Sequence, residues 1–148
     1  MQAKEIMSEK PACCRPSDDL RAVAEMMVAE DCGEIPVCDE SRKPIGVVTD
    51  RDIVCRLVAK GQNPLEHRVG DIMSSPPITA RPEMAIDECA RLMEQYQVRR
   101  LPVVDESGAI CGIVSQADLA RKGPRDMSIE VVERVSEPNT FASSVGGR

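Results

Sequence analysis

Two short stretches of this chain combine glycine, a hydroxyl and a carboxylate at the same spacing: Gly46-Val47-Val48-Thr49-Asp50-Arg51-Asp52 and Gly112-Ile113-Val114-Ser115-Gln116-Ala117-Asp118. Both have the form Gly-apolar-Val-[Thr/Ser]-x-x-Asp, which reads as an apolar strand running into the start of a helix. A helix start offers unpaired N–H groups and the positive end of the helix dipole, and both suit a phosphate. The hydroxyl adds a donor, and an Asp one turn in can accept two hydrogen bonds from a ribose diol. The same spacing also makes a capping box, in which the hydroxyl accepts from the N–H of the third helical residue. Asp is less usual than Glu or Gln in that box, which leans the pattern towards ligand work, and the two roles can coexist.

Other chemistry is thinly supplied. His67 is the single histidine, and no Ser-His-Asp set or Gly-Lys-[Ser/Thr] phosphate loop is present, so no catalytic residue is assigned and no enzyme activity is expected. The seven cysteines, Cys13, Cys14, Cys32, Cys38, Cys55, Cys89 and Cys111, form no C-x-x-C pair, so no metal site is assigned. They read mainly as small buried hydrophobes. A redox-sensitive Cys13-Cys14 pair is the weaker alternative. His67 reads as a surface imidazole in a polar connection, and Met26, Met27, Met84 and Met93 as core filling.

A net charge of −6 and an aromatic content of 1% leave neither a basic surface for a phosphate backbone nor a stacking platform for bases, so no nucleic-acid polymer is expected. No stretch approaches the ~18 apolar residues of a membrane span, and the opening residues, with Lys4 and Glu5, lack the apolar run of a signal peptide. The chain is read as cytoplasmic, with no membrane partner.

What positions the two motifs is a repeat. Shifting the sequence by 66 residues lays 6–52 on 72–118 without a gap, and 16 of the 47 positions are identical, among them Ile6-Met7-Ser8 with Ile72-Met73-Ser74 and Pro36-Val37 with Pro102-Val103. Cys38, Cys89 and Cys111 fall on Val104, Val23 and Ile45, exchanges that suit core positions. Apolar residues at Leu20, Val23, Ala24, Met27 and at Ile86, Cys89, Ala90, Met93 predict one amphipathic helix per copy. Ile35–Cys38 with Ile45–Val48, and Leu101–Val104 with Cys111–Val114, predict a hairpin in each, whose internal proline belongs at an edge or a strand start. A second helix follows, Asp50 to Lys60 before Gly61 and Gln116 to Lys122 before Gly123.

The expected fold is therefore α/β (α+β), two tandem β-α-β-β-α repeats packed as a pseudo-two-fold pair. Residues 1–62 form the first repeat, 63–68 a linker and 69–123 the second. Residues 124–148 are read as a short helix at Ser128–Val135 followed by a disordered tail.

Two ordered sets of Ile-Met-Ser, a proline-led helix, [Ile/Leu]-Pro-Val-x-Asp and Gly-x-Val-[Thr/Ser]-x-x-Asp resemble the CBS domain family over residues 3–60 and 69–122. The resemblance implies a regulatory pair of domains, often called a Bateman module, binding AMP, ATP, NAD, S-adenosylmethionine or a related adenosyl ligand in clefts between the repeats. It also implies a homodimer and an effector protein that reads the signal. No cofactor is required; the adenosyl ligand is a regulator.

Carried over residue by residue, Thr49 and Ser115 are expected to contact phosphate or ribose, and Asp52 and Asp118 the ribose diol. Pro11-Ala12 and Pro77-Ile78 are expected to pack on adenine, and Arg99 and above all Arg100 to reach phosphates. In the first repeat Gly33-Glu34 replaces that arginine pair. Glu34 would repel a polyphosphate, Arg51 offers partial compensation, and the two sites are expected to be unequal. The alternative for Arg99-Arg100 is a solvated surface pair. The alternative for the whole chain is a ligand-independent dimerisation or interaction module whose motifs serve only as caps.

Overall fold

Along the chain, the computed structural model describes residues 1–124 together with Glu133 and Arg134. Its elements are α1 (Ala3–Ile6), β1 (Ser8–Glu9), α2 (Leu20–Glu30), β2 (Glu34–Cys38), β3 (Pro44–Thr49), α3 (Asp50–Arg56), α4 (Val69–Ile72), α5 (Ile86–Tyr96), β4 (Arg100–Val104), β5 (Ile110–Ser115) and α6 (Gln116–Lys122). The expected mixed α/β class is found, with both copies carrying the helix, hairpin and second helix in order. The helix expected over 128–135 and the tail beyond it lie outside the described residues, apart from Glu133 and Arg134, which are helical.

Three local features differ from the sequence reading. Ile6 and Ile72 close the short helices α1 and α4 rather than opening strands, and the leading strand of the second copy is reduced to one antiparallel bridge, Ser74 with Val47. Helix α3 stops at Arg56, where Leu57, its φ widened to −119, caps the helix and enters the core at 2% exposure; a 3-10 turn, Val58–Lys60, then closes on Gly61 with φ 73. Gly123 ends α6 in extended geometry (φ −88) rather than the left-handed form.

The described chain divides into two compact units that do not follow the two copies. One unit contains Met1–Lys10, Ile78–Asp105 and the chain from Cys111; the other contains Pro11–Pro77 and Glu106–Ile110. Each copy's opening segment thus serves the unit built mainly from the other copy. In the first unit β1 pairs antiparallel with β5, Ser8 opposite Ile113, giving a sheet ordered β1-β5-β4. In the second, β2 and β3 pair antiparallel, Ile35 opposite Val48, and Ser74 bridges to Val47 as the counterpart of Ser8 on Ile113.

Each unit owns one apolar core. Ile6, Ile86, Met93, Leu101, Val103 and Val114 are among the buried residues of the first. Leu20, Val23, Ile35, Val37, Val48 and Ile72 are among those of the second. Met27 and Met93 are core residues and Met26 and Met84 pack against the cores, as their spacing predicted.

Helix α2 starts where Asp19 accepts from the Ala22 N–H at 2.7 Å, and ends at Asp31 in left-handed geometry (φ 49). The prolines fit their strands as expected. The carbonyl of Pro36 accepts from the Cys14 N–H at 3.0 Å, so its ring nitrogen faces the Cys14 side, away from β3, and no rung between β2 and β3 is lost.

Candidate functional site

Both Gly-x-Val-[Thr/Ser]-x-x-Asp stretches form the predicted strand-to-helix junction, and both close as capping boxes. In the second unit Thr49 Oγ1 accepts from the Asp52 N–H at 3.0 Å, while Asp52 Oδ2 accepts from the Thr49 N–H at 3.0 Å. In the first unit Ser115 Oγ accepts from the Asp118 N–H at 3.1 Å, and Asp118 Oδ2 accepts from the Ser115 N–H at 2.8 Å and its hydroxyl at 2.9 Å. The capping role is therefore real in both copies. It occupies one oxygen of each carboxylate and leaves Oδ1 directed elsewhere.

Each Oδ1 faces a cation that the sequence reading missed. Arg56 Nε lies 3.4 Å from Asp52 Oδ1, and Lys122 Nζ lies 4.0 Å from Asp118 Oδ1. Arg56 also donates to the Ile72 carbonyl at 3.1 Å, as Lys122 does to the Ile6 carbonyl at 3.1 Å. Arg56 and Lys122 coincide under the 66-residue shift, so a base one turn after the Asp in both copies was the available signal. Asp52 is only 7% exposed, an unusual burial for a carboxylate unless it is paired, and the Ser115 hydroxyl in the other copy is at 8%.

The glycine of each motif has a steric reason. A Cβ on Gly46 would lie 2.7 Å from the Ser74 carbonyl oxygen, and one on Gly112 would lie 3.1 Å from the Ser8 carbonyl oxygen and 2.5 Å from the Met7 sulfur. Only glycine lets the Ile-Met-Ser segment lie this close to the strand that leads into the site.

The remaining candidates divide between the units. Arg99 is exposed and Arg100 half-buried, and the Arg99 carbonyl accepts from the Gln116 N–H at 2.8 Å, which ties this pair to the start of α6 beside Ser115 and Asp118. Ile78 belongs to the same unit and packs on its core. Gly33 holds the matching place in the second unit, accepting from the Asp50 N–H at 2.9 Å, so Glu34 and Asp50 stand where the first unit has Arg100 and Gln116. Arg51 is exposed on α3, and Pro11, Ala12 and Pro77 are half-buried in the same unit as Thr49 and Asp52. A cavity of about 630 Å³ in this unit is lined by Arg56, Lys60, His67 and Asp71 among others, not by Thr49 or Asp52, and so does not coincide with the expected nucleotide residues.

His67 is half-buried rather than a free surface imidazole, with Nδ1 3.4 Å from Asp71 Oδ2. The Arg68 N–H, donating to Asp71 at 2.9 Å, is the main cause holding that carboxyl below its ordinary range.

All seven cysteines are free thiols, and Cys14, Cys38 and Cys89 are buried. Burial pushes Cys14 up to about 12 and Cys89 up to about 11 from an ordinary 9.0. An acid whose native pKa exceeds its unfolded value holds its proton more tightly when folded. Between pH 9 and 11 the unfolded chain ionises at these thiols more than the native chain does, so stability falls as pH rises. We expect each to steepen that loss by at most about 1.4 kcal/mol per pH unit. Urea midpoints from pH 8 to 11 measure it, and Cys14→Val or Cys89→Val should flatten the slope; an unchanged slope in both variants would refute the assignment.

Among the described residues, no group of three or more His, Cys, Asp or Glu side chains could hold a metal ion, and no helix is long and apolar enough to cross a membrane.

Comparison with known proteins adds a family. The model of the CBS domain matches residues 3–59 and 69–125. Hypoxic response protein 1 of Mycobacterium tuberculosis is 33% identical over 141 residues, covering 95% of this chain and 98% of that protein. A crystal structure of that protein with two coordinated zinc ions superposes with a TM-score of 0.76, covering 84% of this chain and 100% of that one. An uncharacterized protein of Methanopyrus kandleri is 37% identical over 74% of this chain, and the match spans 56% of that relative's own length. The CBS domain pair of protein MJ0100, solved in complex with 5′-methylthioadenosine and S-adenosyl-L-methionine, is 26% identical with a TM-score of 0.73, covering 82% of this chain and 98% of that one.

Proposed function

Since the chain belongs to the CBS domain family, we propose that it is a regulatory module without catalysis of its own, which takes an adenosyl ligand and passes the signal to a partner protein as a homodimer. AMP, ATP, NAD and S-adenosylmethionine are the candidate ligands. The observation that carries this reading is the pair of low-exposure carboxylates at the starts of α3 and α6. Each spends one oxygen on its own helix start and keeps lone pairs on the other. A ribose diol is the group that two acceptor sites on one carboxylate oxygen suit. The related domain pair bound to 5′-methylthioadenosine and S-adenosyl-L-methionine supports the choice of ligand class.

The two positions are not equivalent in this reading. Ser115 and Asp118 stand beside Arg99 and Arg100, and the Lys122 contact to Asp118 is loose at 4.0 Å, so a hydroxyl displaces it cheaply. Thr49 and Asp52 stand beside Glu34 and Asp50, and Arg56 holds Asp52 more closely at 3.4 Å. An anionic ligand therefore favours Ser115 and Asp118, with Ile78 packing on its base. Any ligand at Thr49 and Asp52, with Arg51, Pro11, Ala12 and Pro77, carries less negative charge.

Isothermal titration of the full chain with the four ligands tests this. We expect micromolar binding of at least one. Asp118→Asn keeps an acceptor for the cap and should weaken that binding by about thirtyfold or more, the loss of charged hydrogen bonds worth about 2 kcal/mol. Asp52→Asn should leave the anionic ligand's affinity within about threefold, well under 1 kcal/mol. Absence of heat and of thermal stabilisation with all four ligands would instead favour a ligand-independent interaction module in which both motifs are only caps.

A further inference from the structure

The second unit carries a thiol arrangement that the nucleotide reading does not use. Cys14 lies in a parallel bridge with Val37, its N–H donating to Pro36 and its carbonyl accepting from the Cys38 N–H at 2.8 Å. Side chains alternate along a strand, so Cys14 and Val37 enter the core while Cys13 and Cys38 fall on the opposite face. Cys14 and Val37 belong to the packed apolar cluster of this unit, and Cys38, although buried at 3% exposure, does not. The ladder is irregular between Val37 and Cys38, a distortion of the kind that re-aims a side chain, and the Cys38 thiol hydrogen-bonds the Cys13 sulfur. A guanidinium nitrogen of Arg42, from the hairpin turn, lies 3.7 Å from the same sulfur.

We infer that Cys13 and Cys38 are a peroxide-oxidisable thiol pair, with Cys13 as the attacking thiolate, Arg42 as its counter-charge and Cys38 as the resolving thiol. In the first step the Cys13 thiolate attacks one oxygen of hydrogen peroxide; the O–O bond breaks, and the leaving hydroxide takes a proton to become water, leaving a sulfenic acid. In the second step the Cys38 sulfur attacks the sulfenic sulfur, the S–S bond forms, and the departing hydroxide takes the Cys38 proton as water. Two thiols are oxidised and one peroxide is reduced to two waters. Cys14, buried in the core on the other face, is spared.

The electrostatics agree with this division of labour. The hydrogen bond from Cys38 is the largest cause that lowers Cys13 from 9.0 to about 7, with the charge of Arg42 adding to it against desolvation, while the same hydrogen bond and burial raise Cys38. More of Cys13 is then thiolate near neutral pH than of an ordinary thiol, and even after allowance for its weaker intrinsic nucleophilicity its reaction should be the faster.

Peptide mass spectrometry of the full chain, treated with hydrogen peroxide and then alkylated, tests the inference. The expected product is a Cys13–Cys38 linked peptide lacking two hydrogens, restored by dithiothreitol and absent in Cys13→Ser and Cys38→Ser. In the untreated protein at pH 7, iodoacetamide should label Cys13 severalfold faster than an ordinary thiol such as free cysteine under the same conditions. Arg42→Ala, a change at an exposed position, should slow both labelling and disulfide formation severalfold, and Arg42→Lys should restore most of the rate. This pair of variants reads the chemistry even if a cysteine variant misfolds. A disulfide between two chains, peroxide oxidation of Cys13 to sulfinic acid without linkage to Cys38, or an Arg42→Ala rate equal to the parent's would overturn it.

Discussion

Ile6→Ala is expected to cost about 3–4 kcal/mol of stability, as large a loss as truncating a residue in the middle of a core, although Ile6 belongs to the sequence copy that supplies little else to that core. Ile6 is 0% exposed and packs with Leu101, Val103, Val114 and Met93. Native-state hydrogen exchange would show where the loss falls. Protection should drop first along α5 and β4, which belong to the second sequence copy, and not along β2 and β3 of Ile6's own copy. Ile72→Ala, at a site 3% exposed in the other core, should produce the mirror image, loosening α2 and β2 first. Loss of protection along β2 and β3 in Ile6→Ala would contradict the exchanged construction of the two units.

The motif glycines should give unequal costs. Gly46→Ala places a methyl 2.7 Å from the Ser74 carbonyl oxygen, which is backbone and fixed by its bond to the Val47 N–H at 2.9 Å. Either that bridge separates or β3 bends, and we expect a loss of about 2–3 kcal/mol in urea unfolding. Gly112→Ala meets chiefly the flexible Met7 side chain, its sulfur at 2.5 Å and its Cγ at 3.0 Å, while the Ser8 carbonyl oxygen at 3.1 Å has to give by only a few tenths of an ångström. Its cost should be about 1 kcal/mol. Equal losses would mean that the close approach of backbone to backbone is not what glycine serves here.

Repetition made most of the elements legible. Helical spacing from Leu20 to Met27 and from Ile86 to Met93 located α2 and α5, and the paired apolar strands located both hairpins. Helices α1 and α4 were not legible, since four residues contain little more than one turn and display no period. The exchange of opening segments was hidden for a different reason: identical Ile-Met-Ser triplets fit either core equally well, and a repeat states what a segment is but not which neighbour it joins.

At the site, the Thr49–Asp52 and Ser115–Asp118 spacings were read together with both of their roles, and the capping role is present in atomic detail. Arg56 and Lys122 were visible as aligned bases but became meaningful only once helical geometry set them one turn beyond the carboxylates. The approach of Cys13 to Cys38 depends on strand register and on an irregularity within it. No spacing of 25 residues in the sequence announces either.

The exchanged segments also set the order in which this protein can become itself during synthesis. Ile6 is synthesised well before Leu119, the last of the core residues it must bury against, so at ~5–20 residues per second it waits roughly 6–20 s in solvent. Val69 and Ile72, by contrast, emerge after Leu20, Ile35 and Val48 and complete their core on arrival. The unit around Asp52 is thus finished first, while the nascent amino-terminal strand remains available to chaperones until the unit around Asp118 closes over it.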